Sequence, residues 1–196
     1  MSRPPADRTQ LRERILHAAL DLARERGWAA VSIRTIGERA GCASPIIYRA
    51  FQDKEAILLE VNRYAYRQLN ARVRKAVRPG MEFRELMLAI AGAHWDFAFE
   101  ERELHQVMYN LDGVHIPHQQ DLQLPEGREV FALMLDSLLR YRPGLSPAEA
   151  AGYLTAGMAL LIGFITGAKL DGPLIGGRVR GRSMMEAALG RMIDQL

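Results

Sequence analysis

The sequence predicts an all-α protein of about nine helices, divided into an N-terminal three-helix domain and a larger helical C-terminal domain. Three observations favour this fold class. No stretch alternates apolar and polar residues with period two, as a half-buried strand would. Apolar residues instead recur three or four positions apart along most of the chain. Proline–glycine pairs at 79–80 and 143–144 separate helical segments.

The first helix is expected to follow a polar arm at residues 1–8, to begin at a cap on Asp7 or Thr9, and to end near Arg26. Its apolar residues share one face: Leu11, Ile15, Ala18, Leu22 and Ala23. The arm is interpreted as a flexible tail, with the alternative that its arginines contact a minor groove.

The stretch 31–55 predicts two short helices joined by a tight turn, followed by the start of a third helix. Ser32 is placed to cap the first, because its hydroxyl can accept a backbone N–H that lacks a partner. Gly41 is expected to end that helix in a left-handed conformation that costs glycine little. Ser44 is expected to cap the second helix, with Pro45 at its first helical position. This order, with a polar outer face on the second helix, is the helix-turn-helix pattern that enters a DNA major groove.

Short motifs follow one another in a specific order between about Arg12 and Val61: Arg14-Ile15-Leu16, Ala18-Ala19, Gly27-Trp28, Ser32-Ile33-Arg34-Thr35-Ile36, Ala40-Gly41, Tyr48-Arg49-Ala50-Phe51 and Asp53-Lys54-Glu55. In this order the segment, about a quarter of the chain, resembles the DNA-binding domain of the TetR family of bacterial transcriptional regulators. The resemblance implies a homodimeric repressor whose two recognition helices lie one DNA turn apart on a pseudo-palindromic operator.

The resemblance also implies which side chains contact DNA. Eight positions are expected at the interface: Ser32, Arg34, Thr35, Ser44, Ile46, Tyr48, Arg49 and Lys54. The first three are expected at phosphates or groove edges, Lys54 at a phosphate, and Tyr48 at the DNA backbone or a thymine methyl. Arg49 is expected at a base edge, because arginine can form two hydrogen bonds with guanine.

This chain departs from the usual family pattern at the start of the recognition helix. Many members carry a lysine or arginine, a small residue and a Thr or Ser where this chain has Ser44, Pro45 and Ile46. An apolar side chain thus replaces a hydroxyl and is suited to a thymine methyl. Operator sequences of relatives therefore do not transfer to this chain.

A long basic helix is expected from its cap at Asp53 to about Val77. At the rise of an α-helix it would be about 36 Å long, enough to link two domains. The predicted limits are 1–55 for the helix-turn-helix domain and 56–196 for a helical domain that binds a ligand and pairs two copies.

Five further helical segments are expected after this linking helix. Their approximate limits are 81–100, 101–112, 125–142, 146–170 and 183–196, with loops at 114–124 and 171–182. The clearest start is Ser146-Pro147-Ala148-Glu149, with a serine cap, a proline at the first position and a glutamate at the third.

Residues 150–168 contain no charged side chain, and this run approaches the roughly 20 residues that span a membrane. The alternative is a helix buried at a subunit interface. We favour the interface, because the run contains several glycines and threonines and no basic cluster flanks it. In TetR-like proteins the last two helices form the dimer contact, so we expect a homodimer through 146–170 and 183–196 and no membrane association.

No catalytic arrangement is found, and the chain is expected to be neither an enzyme nor dependent on a cofactor. His115 and His118 lie three apart with Asp121 nearby, but zinc normally needs three or four protein ligands, and no metal site is predicted. Cys42 is the only cysteine, which excludes an internal disulfide, and it is interpreted as a packing residue.

TetR-like regulators bind a small molecule in the C-terminal part, where this chain gathers methionines and aromatic residues. Most of these are expected to be helical core. The candidate ligand contacts are His94, Trp95, Tyr109 and Asn110. Their character favours a largely apolar ligand with one hydrogen-bonding group.

The surplus of positive charge lies in the N-terminal part. Residues 1–55 hold ten Lys/Arg and seven Asp/Glu, whereas 56–196 hold sixteen of each, so the net charge of +3 comes from the first segment. This distribution suits a partner with a phosphate backbone. The N-terminus lacks the apolar core of a signal peptide, so a cytoplasmic protein is expected.

The leading hypothesis is a DNA-binding regulator, a repressor that a small effector releases from its double-stranded operator. The competing class is a helical small-molecule-binding protein or enzyme that has lost DNA binding, for which a bound cofactor or turnover would be the evidence. A membrane-associated helical protein is a third class, supported only by residues 150–168.

Overall fold

A computed structural model describes residues 5–116 and 124–196, and this part of the chain contains nine α-helices, one short 3₁₀ turn at Trp28–Ala30 and no β-strand. The helices are α1 (Pro5–Arg26), α2 (Ile33–Ala40), α3 (Ser44–Ala50), α4 (Lys54–Ala76), α5 (Phe83–Glu100), α6 (Arg102–Met108), α7 (Pro125–Tyr141), α8 (Pro147–Lys169) and α9 (Arg178–Asp194). The predicted all-α class is confirmed.

The described residues form two compact units, and α4 contributes to both because the division falls after Tyr66. The first unit contains residues 5–66 and 101–116, and the second contains 67–100 and 124–196. The predicted domain limits, 1–55 and 56–196, stay a prediction.

The core of the first unit lies where α1 packs against α2 and α3. Its fully buried side chains include Ile15, Ala19, Ile36, Ile47, Ile57 and Val61. The indole Nε1 of Trp28 donates a hydrogen bond to the Glu103 carbonyl oxygen 3.1 Å away, and Arg24 pairs with Glu101 at 3.3 Å. These contacts attach α6 to the helix-turn-helix, although 75 positions separate Trp28 from Glu103.

The core of the second unit is an apolar cluster formed by α5, α8 and α9. Its buried members are Ala91, Trp95, Ala98, Leu161, Ile165, Ala168, Met185 and Leu189. Gly181 lets α9 approach closely, since a Cβ there would lie 2.9 Å from the Ala168 Cβ and 3.0 Å from the Trp95 ring. α7 packs against α5 and α8, which completes the unit together with the second part of α4.

The predicted caps of α4 and α8 are confirmed. Asp53 Oδ1 accepts the Ala56 N–H at 2.7 Å. Ser146 Oγ accepts the Glu149 N–H at 3.3 Å, and the Glu149 carboxylate accepts the Ser146 N–H at 2.9 Å. Hydrogen bonds from the Ser146 hydroxyl and backbone hold the pKa of the Glu149 carboxyl below its usual value, so the ionised form maintains this cap.

The predicted start of α1 and the predicted end of α6 are wrong, whereas the predicted end of α1 at Arg26 is confirmed. α1 begins at Pro5, so Asp7 and Thr9 lie inside the helix instead of at its cap, in line with the suitability of proline for a first helical turn. α6 ends at Met108 instead of continuing to about residue 112. Asn110 adopts a left-handed φ of 50°, which no continuing α-helix contains.

α9 begins at Arg178, five residues before the predicted start at 183. Arg178 and Arg182 lie one helical turn apart, and both bond to Asp96 of α5, at 3.0 and 2.9 Å. The helical backbone places these two side chains on the same face, where both guanidinium groups reach one carboxylate. The arginines assigned to a loop therefore belong to the helix.

Candidate nucleic-acid interface

The N-terminus of α2 is closed by a reciprocal cap between Ser32 and Thr35. Ser32 Oγ accepts the Thr35 N–H at 3.2 Å, and Thr35 Oγ1 accepts the Ser32 N–H at 2.9 Å. Thr35 Oγ1 also donates to the Ala30 carbonyl at 3.0 Å. The predicted cap at Ser32 is confirmed. Both hydroxyls are used to orient α2. A DNA contact by Ser32 or Thr35 stays a prediction, and it could use only the hydrogen-bonding capacity that the cap leaves over.

Two glycines shape the turn between α2 and α3. Gly41 has φ 64° and ψ 38°, the left-handed conformation that was predicted. The Gly37 carbonyl accepts the N–H groups of both Gly41 and Cys42. A Cβ on Gly37 would lie only 2.7 Å from the Cys42 carbonyl oxygen, so this position requires glycine. Gly37 was not predicted, although a glycine inside a helix often marks a close backbone approach.

The predicted cap at Ser44 is wrong. Ser44 is the first residue of α3, the capping position belongs to Ala43, and no side chain caps this helix. The Ile46 N–H donates to the Ala43 carbonyl at 2.8 Å, so the first turn begins one residue earlier than expected. Ser44 is half-buried within this turn.

α3 turns its apolar side into the core and leaves an aromatic and a basic side chain outside. Ile47 is completely buried, whereas Tyr48 is 56% exposed. Arg49 is exposed and Ile46 is half-buried. We call Arg34, Ile46, Tyr48, Arg49 and Lys54 the recognition surface. That each of them contacts DNA stays a prediction.

Basic side chains on the recognition surface differ in their pairing. Arg34 forms an ion pair with Glu38 at 3.3 Å, and both side chains are largely exposed, so the pair contributes little stability. Arg49 and Lys54 form no ion pair with any described residue. Their donor groups are therefore available to a phosphate or a base.

Arg12 of α1 holds the C-terminal end of α3 in place. Its guanidinium donates to the Ala50 carbonyl at 2.5 Å and lies 4.0 Å from the centre of the Phe51 ring. The same guanidinium pairs with Glu60 of α4 at 3.3 Å. One side chain thus connects three helices of the first unit. No local pattern predicts it, because Ala50 and Glu60 lie 38 and 48 positions away.

Two of the four predicted effector residues lie in the second unit. His94 and Trp95 are adjacent in α5 and almost completely buried. Burial, and to a smaller extent the charge of Lys169, lowers the pKa of His94 to about 4, so the imidazole is neutral at pH 7. Trp95 packs in the apolar cluster with α8 and α9.

The other two follow α6 in the first unit. The Tyr109 ring lies 4.8 Å from that of His105, centre to centre. Asn110 Oδ1 accepts the Ile116 N–H at 3.2 Å, so this side chain organises the turn after α6. That His94, Trp95, Tyr109 and Asn110 contact an effector stays a prediction.

The described residues contain no group of three or more His, Cys, Asp or Glu that could hold a metal ion. His115 is exposed. His118 and Asp121 lie outside the described residues, so the expectation that the chain carries no metal site stays a prediction.

α8 is long and apolar enough to cross a membrane by length and composition, with 23 residues and a mean hydropathy of 1.6 in its most apolar window. Such a helix is weak evidence for a membrane span, because core helices of soluble proteins pass the same test. Only 22% of the window is buried within the chain. The remaining residues of the window are half-buried or exposed within this chain.

Family models match both parts of the chain. The model of bacterial regulatory proteins of the tetR family matches residues 15–61, which contain all of α2 and α3. The model of the tetracyclin repressor-like C-terminal domain matches residues 87–196, more than half of the chain.

Individual proteins agree with these models. The chain is 26% identical over 188 residues to the HTH-type transcriptional regulator BetI of Stenotrophomonas maltophilia, covering 94% of this chain and 92% of that one. It is 28% identical over 110 residues to the HTH-type transcriptional activator FasR of Mycolicibacterium smegmatis; that match covers 56% of this chain and spans 50% of FasR. The fold is similar to that of RolR in complex with the ligand resorcinol, with a TM-score of 0.68, 21% identity and coverage of 96% and 90% of the two chains.

Proposed function

The chain belongs to the TetR family of bacterial regulatory proteins and is a transcriptional regulator, and from this premise we propose that it is a homodimeric repressor, released from a palindromic DNA operator by a small, largely apolar effector. The observation that carries the proposal is the open face of α3. Tyr48 and Arg49 stand outside the core of the first unit, while the caps of α2 and the contacts of Arg12 hold the helix that presents them.

In the proposed complex α3 enters the major groove. Arg49 donates two hydrogen bonds to a guanine edge, and Tyr48 contacts the DNA backbone or a thymine methyl. Ile46 adds an apolar contact in place of the hydroxyl that many relatives carry. Lys54, at the start of α4, donates to a phosphate and so fixes the register of α3 without carrying sequence information.

The exposed surface of α8 supports pairing of two chains. Between residues 150 and 168 its exposed residues carry no charge: Gly152, Tyr153, Thr155, Ala156, Ala159, Gly163 and Thr166. Small side chains allow two helices to approach closely, and a second copy of α8 with α9 would cover the apolar face. A dimer of this kind would place two copies of α3 about 34–36 Å apart on one side of DNA. We propose a cytoplasmic dimer in preference to a membrane span, because the exposed face includes glycines and threonines.

An effector is proposed to act by its different affinities for DNA-competent and DNA-incompetent forms of the dimer. α4 supports such coupling, since this single helix begins next to the recognition helix in sequence and ends in the second unit. RolR, a protein of the same fold, was solved with the ligand resorcinol. The activator FasR shows that relatives are not all named as repressors, so the direction of regulation has its own test.

The proposal is tested by selecting bound fragments from random DNA with the purified full chain and measuring affinity at several salt concentrations. We expect a palindromic consensus and at least about tenfold weaker binding for Arg49→Ala, the loss typical of a bidentate base contact. Arg102→Ala removes an equal charge from an exposed position of α6 and should leave binding unchanged. Absence of any sequence preference over bulk DNA at every salt concentration would refute DNA-specific regulation.

The direction of regulation is tested with a reporter gene behind the selected operator. Removing the regulator should raise expression from a repressed promoter. A fall in expression would show an activator and overturn the repressor part of the proposal alone.

A further inference from the structure

A cleft of about 910 Å³ opens between the second part of α4, the start of α5 and α7, all within the second unit. Its apolar lining includes Val73, Val77, Phe83, Leu86, Val130 and Leu133. This volume lies in the range of roughly 300–1,000 Å³ typical of small-molecule sites. None of the four effector residues predicted from the sequence lines this cleft.

The buried polar side chains in the cleft already have partners within the protein. Asn70 Nδ2 donates to the Glu126 carbonyl at 2.8 Å and to the Glu129 carboxylate at 3.0 Å. Ser137 Oγ accepts a hydrogen bond from Arg140 at 3.3 Å. Asn70 thus joins α4 to α7, and neither buried side chain lacks a hydrogen-bond partner that a strongly polar ligand could supply.

The charges at the rim of the cleft are also compensated. Each arginine that lines it has an acidic partner: Arg74 with Glu129, Arg78 with Glu85, and Arg140 with Asp136. Glu82, which is exposed, adds a further negative charge. An anionic ligand would compete with these acids for the arginines and would approach Glu82. This arrangement disfavours anions and leaves the apolar lining as the main source of affinity.

An aromatic pair lies at the edge of the cleft. The rings of Phe83 and Tyr141 stack with centres 4.7 Å apart and planes inclined by 15°. Phe83 is buried, but Tyr141 remains 49% exposed, so part of the stacked pair is open to contact. A planar ring placed there would extend the stack and cover apolar surface.

We propose that this cleft is the effector site and that it takes an uncharged molecule with a large apolar or aromatic body. The inference rests on the proposed function in so far as an effector controls DNA binding. Val73 belongs to α4 and Val77 directly follows this helix, so an occupant contacts directly the helix that is shared by both units.

Two fluorescent probes test the predicted ligand class on the full-length protein. N-phenylnaphthylamine is neutral, and anilinonaphthalene sulfonate has the same ring system with one negative charge. We expect the neutral probe to bind once per chain and its sulfonated analogue to bind at least about tenfold more weakly, because the charge would be buried without a free partner. Equal or tighter binding of the sulfonate would overturn the assignment of an uncharged ligand.

Variants test the location. Leu133→Glu places a charge in the apolar lining and should weaken the neutral probe by at least about tenfold, whereas Leu135→Glu, on the same helix but outside the lining, should not. Met81→Glu, in the connection before α5, gives the same test should Leu133→Glu fail to fold. Unchanged binding by Leu133→Glu or Met81→Glu, or loss of binding by Tyr109→Ala instead, would overturn the location.

A DNA arm separates failure of this inference from failure of the proposed function. The neutral probe should weaken operator binding by the wild type but not by Leu133→Glu. Binding of the probe in the cleft with no change in operator affinity would overturn the cleft as an effector site. A protein that selects no operator at all would refute the proposed function, while the probe titrations would still decide whether the cleft binds uncharged ligands.

Discussion

The helix-turn-helix and the rim of the cleft in the second unit use their polar and charged side chains in different ways. In the first, Ser32, Thr35 and Arg12 bond directly to backbone atoms and so fix the ends of α2 and α3. In the second, arginines pair with acids on exposed rims, and apolar side chains are left partly uncovered. Contacts within the protein therefore hold the recognition surface in place, whereas we propose that a ligand completes the apolar lining of the cleft.

The largest expected effect is on the free energy of unfolding, and it comes from a buried histidine inside the second unit. His94 has a pKa of about 4 in the folded chain, compared with about 6.5 when unfolded. The stability that the buried, neutral His94 contributes is fully present above pH 6.5. As the pH falls from 6.5 to 4, the unfolded chain takes up a proton that the folded chain does not, so the free energy of unfolding decreases by up to about 3 kcal/mol. Urea unfolding across this range should show the decrease in the wild type.

His94→Gln should remove this part of the pH dependence, and His115→Gln, at an exposed site, should keep it. A decrease of the same size in His94→Gln would show that other groups cause it and that burial does not lower the pKa of His94. The interior of the second unit would then be more accessible to water than the burial of His94 indicates.

The next effect tests how tightly the turn of the first unit is packed. Gly37→Ala places a Cβ against the Cys42 carbonyl and should lower the free energy of unfolding by about 2 kcal/mol. Gly157→Ala in α8 is the matched change, because its Cβ would meet side chains only at 3.7 Å or more and should be neutral or stabilising by up to about 1 kcal/mol. If chemical unfolding showed equal losses of stability for the two variants, the turn at Gly37 would not be more tightly packed than α8 at Gly157.

Substitution of Arg12 is expected to weaken DNA binding although this side chain is not expected to contact DNA. Arg12→Ala should weaken operator binding by about 1.5 kcal/mol, or roughly tenfold, because the end of α3 loses its hydrogen bond from α1. The dependence of affinity on salt should stay that of the wild type, since no phosphate contact is removed. Arg12→Lys keeps the charge but cannot reproduce the guanidinium contacts and should recover only part of the loss. A reduced salt dependence would mean that Arg12 contacts phosphate directly.

The smallest effect compares two serines that each precede a proline. Ser146→Ala removes an observed cap and should cost about 1 kcal/mol of stability. Ser44→Ala removes a hydroxyl that caps nothing and should change stability by less than about 0.5 kcal/mol. Thermal unfolding of both variants checks the difference, and a larger loss at Ser44 would contradict the observed start of α3.

These two serines also show what the sequence can predict. Ser146 has Glu149 three positions later, and the acid completes a reciprocal cap that local pattern alone identifies. Ser44 has Ile47 at the same spacing. Ile47 belongs to the core, and its side chain cannot accept a hydrogen bond from the serine N–H. The helices, the turn at Gly41 and the exposed face of α3 follow from such local rules.

The remainder of the site depends on contacts between residues distant in sequence. Arg12 reaches Ala50 across 38 positions, and Arg178 reaches Asp96 across 82. Neither pairing produces a periodic or local signal, so Arg12 was missed and the start of α9 was placed too late. The cleft escaped prediction for the same reason, since its walls come from helices whose half-buried valines and leucines are typical of any core.

The partly exposed apolar surface of α8, through which we propose that two chains pair, has a consequence for how the amount of regulator controls the response. A chain that covers this surface only by pairing is a dimer with two DNA-binding domains above the dissociation constant of the dimer, and a monomer with one such domain below it. Occupancy of a two-half-site operator then rises with the square of chain concentration at low expression. Cell growth that halves the amount of regulator would therefore lower occupancy about fourfold in this regime, and the switch would be steep even without an effector.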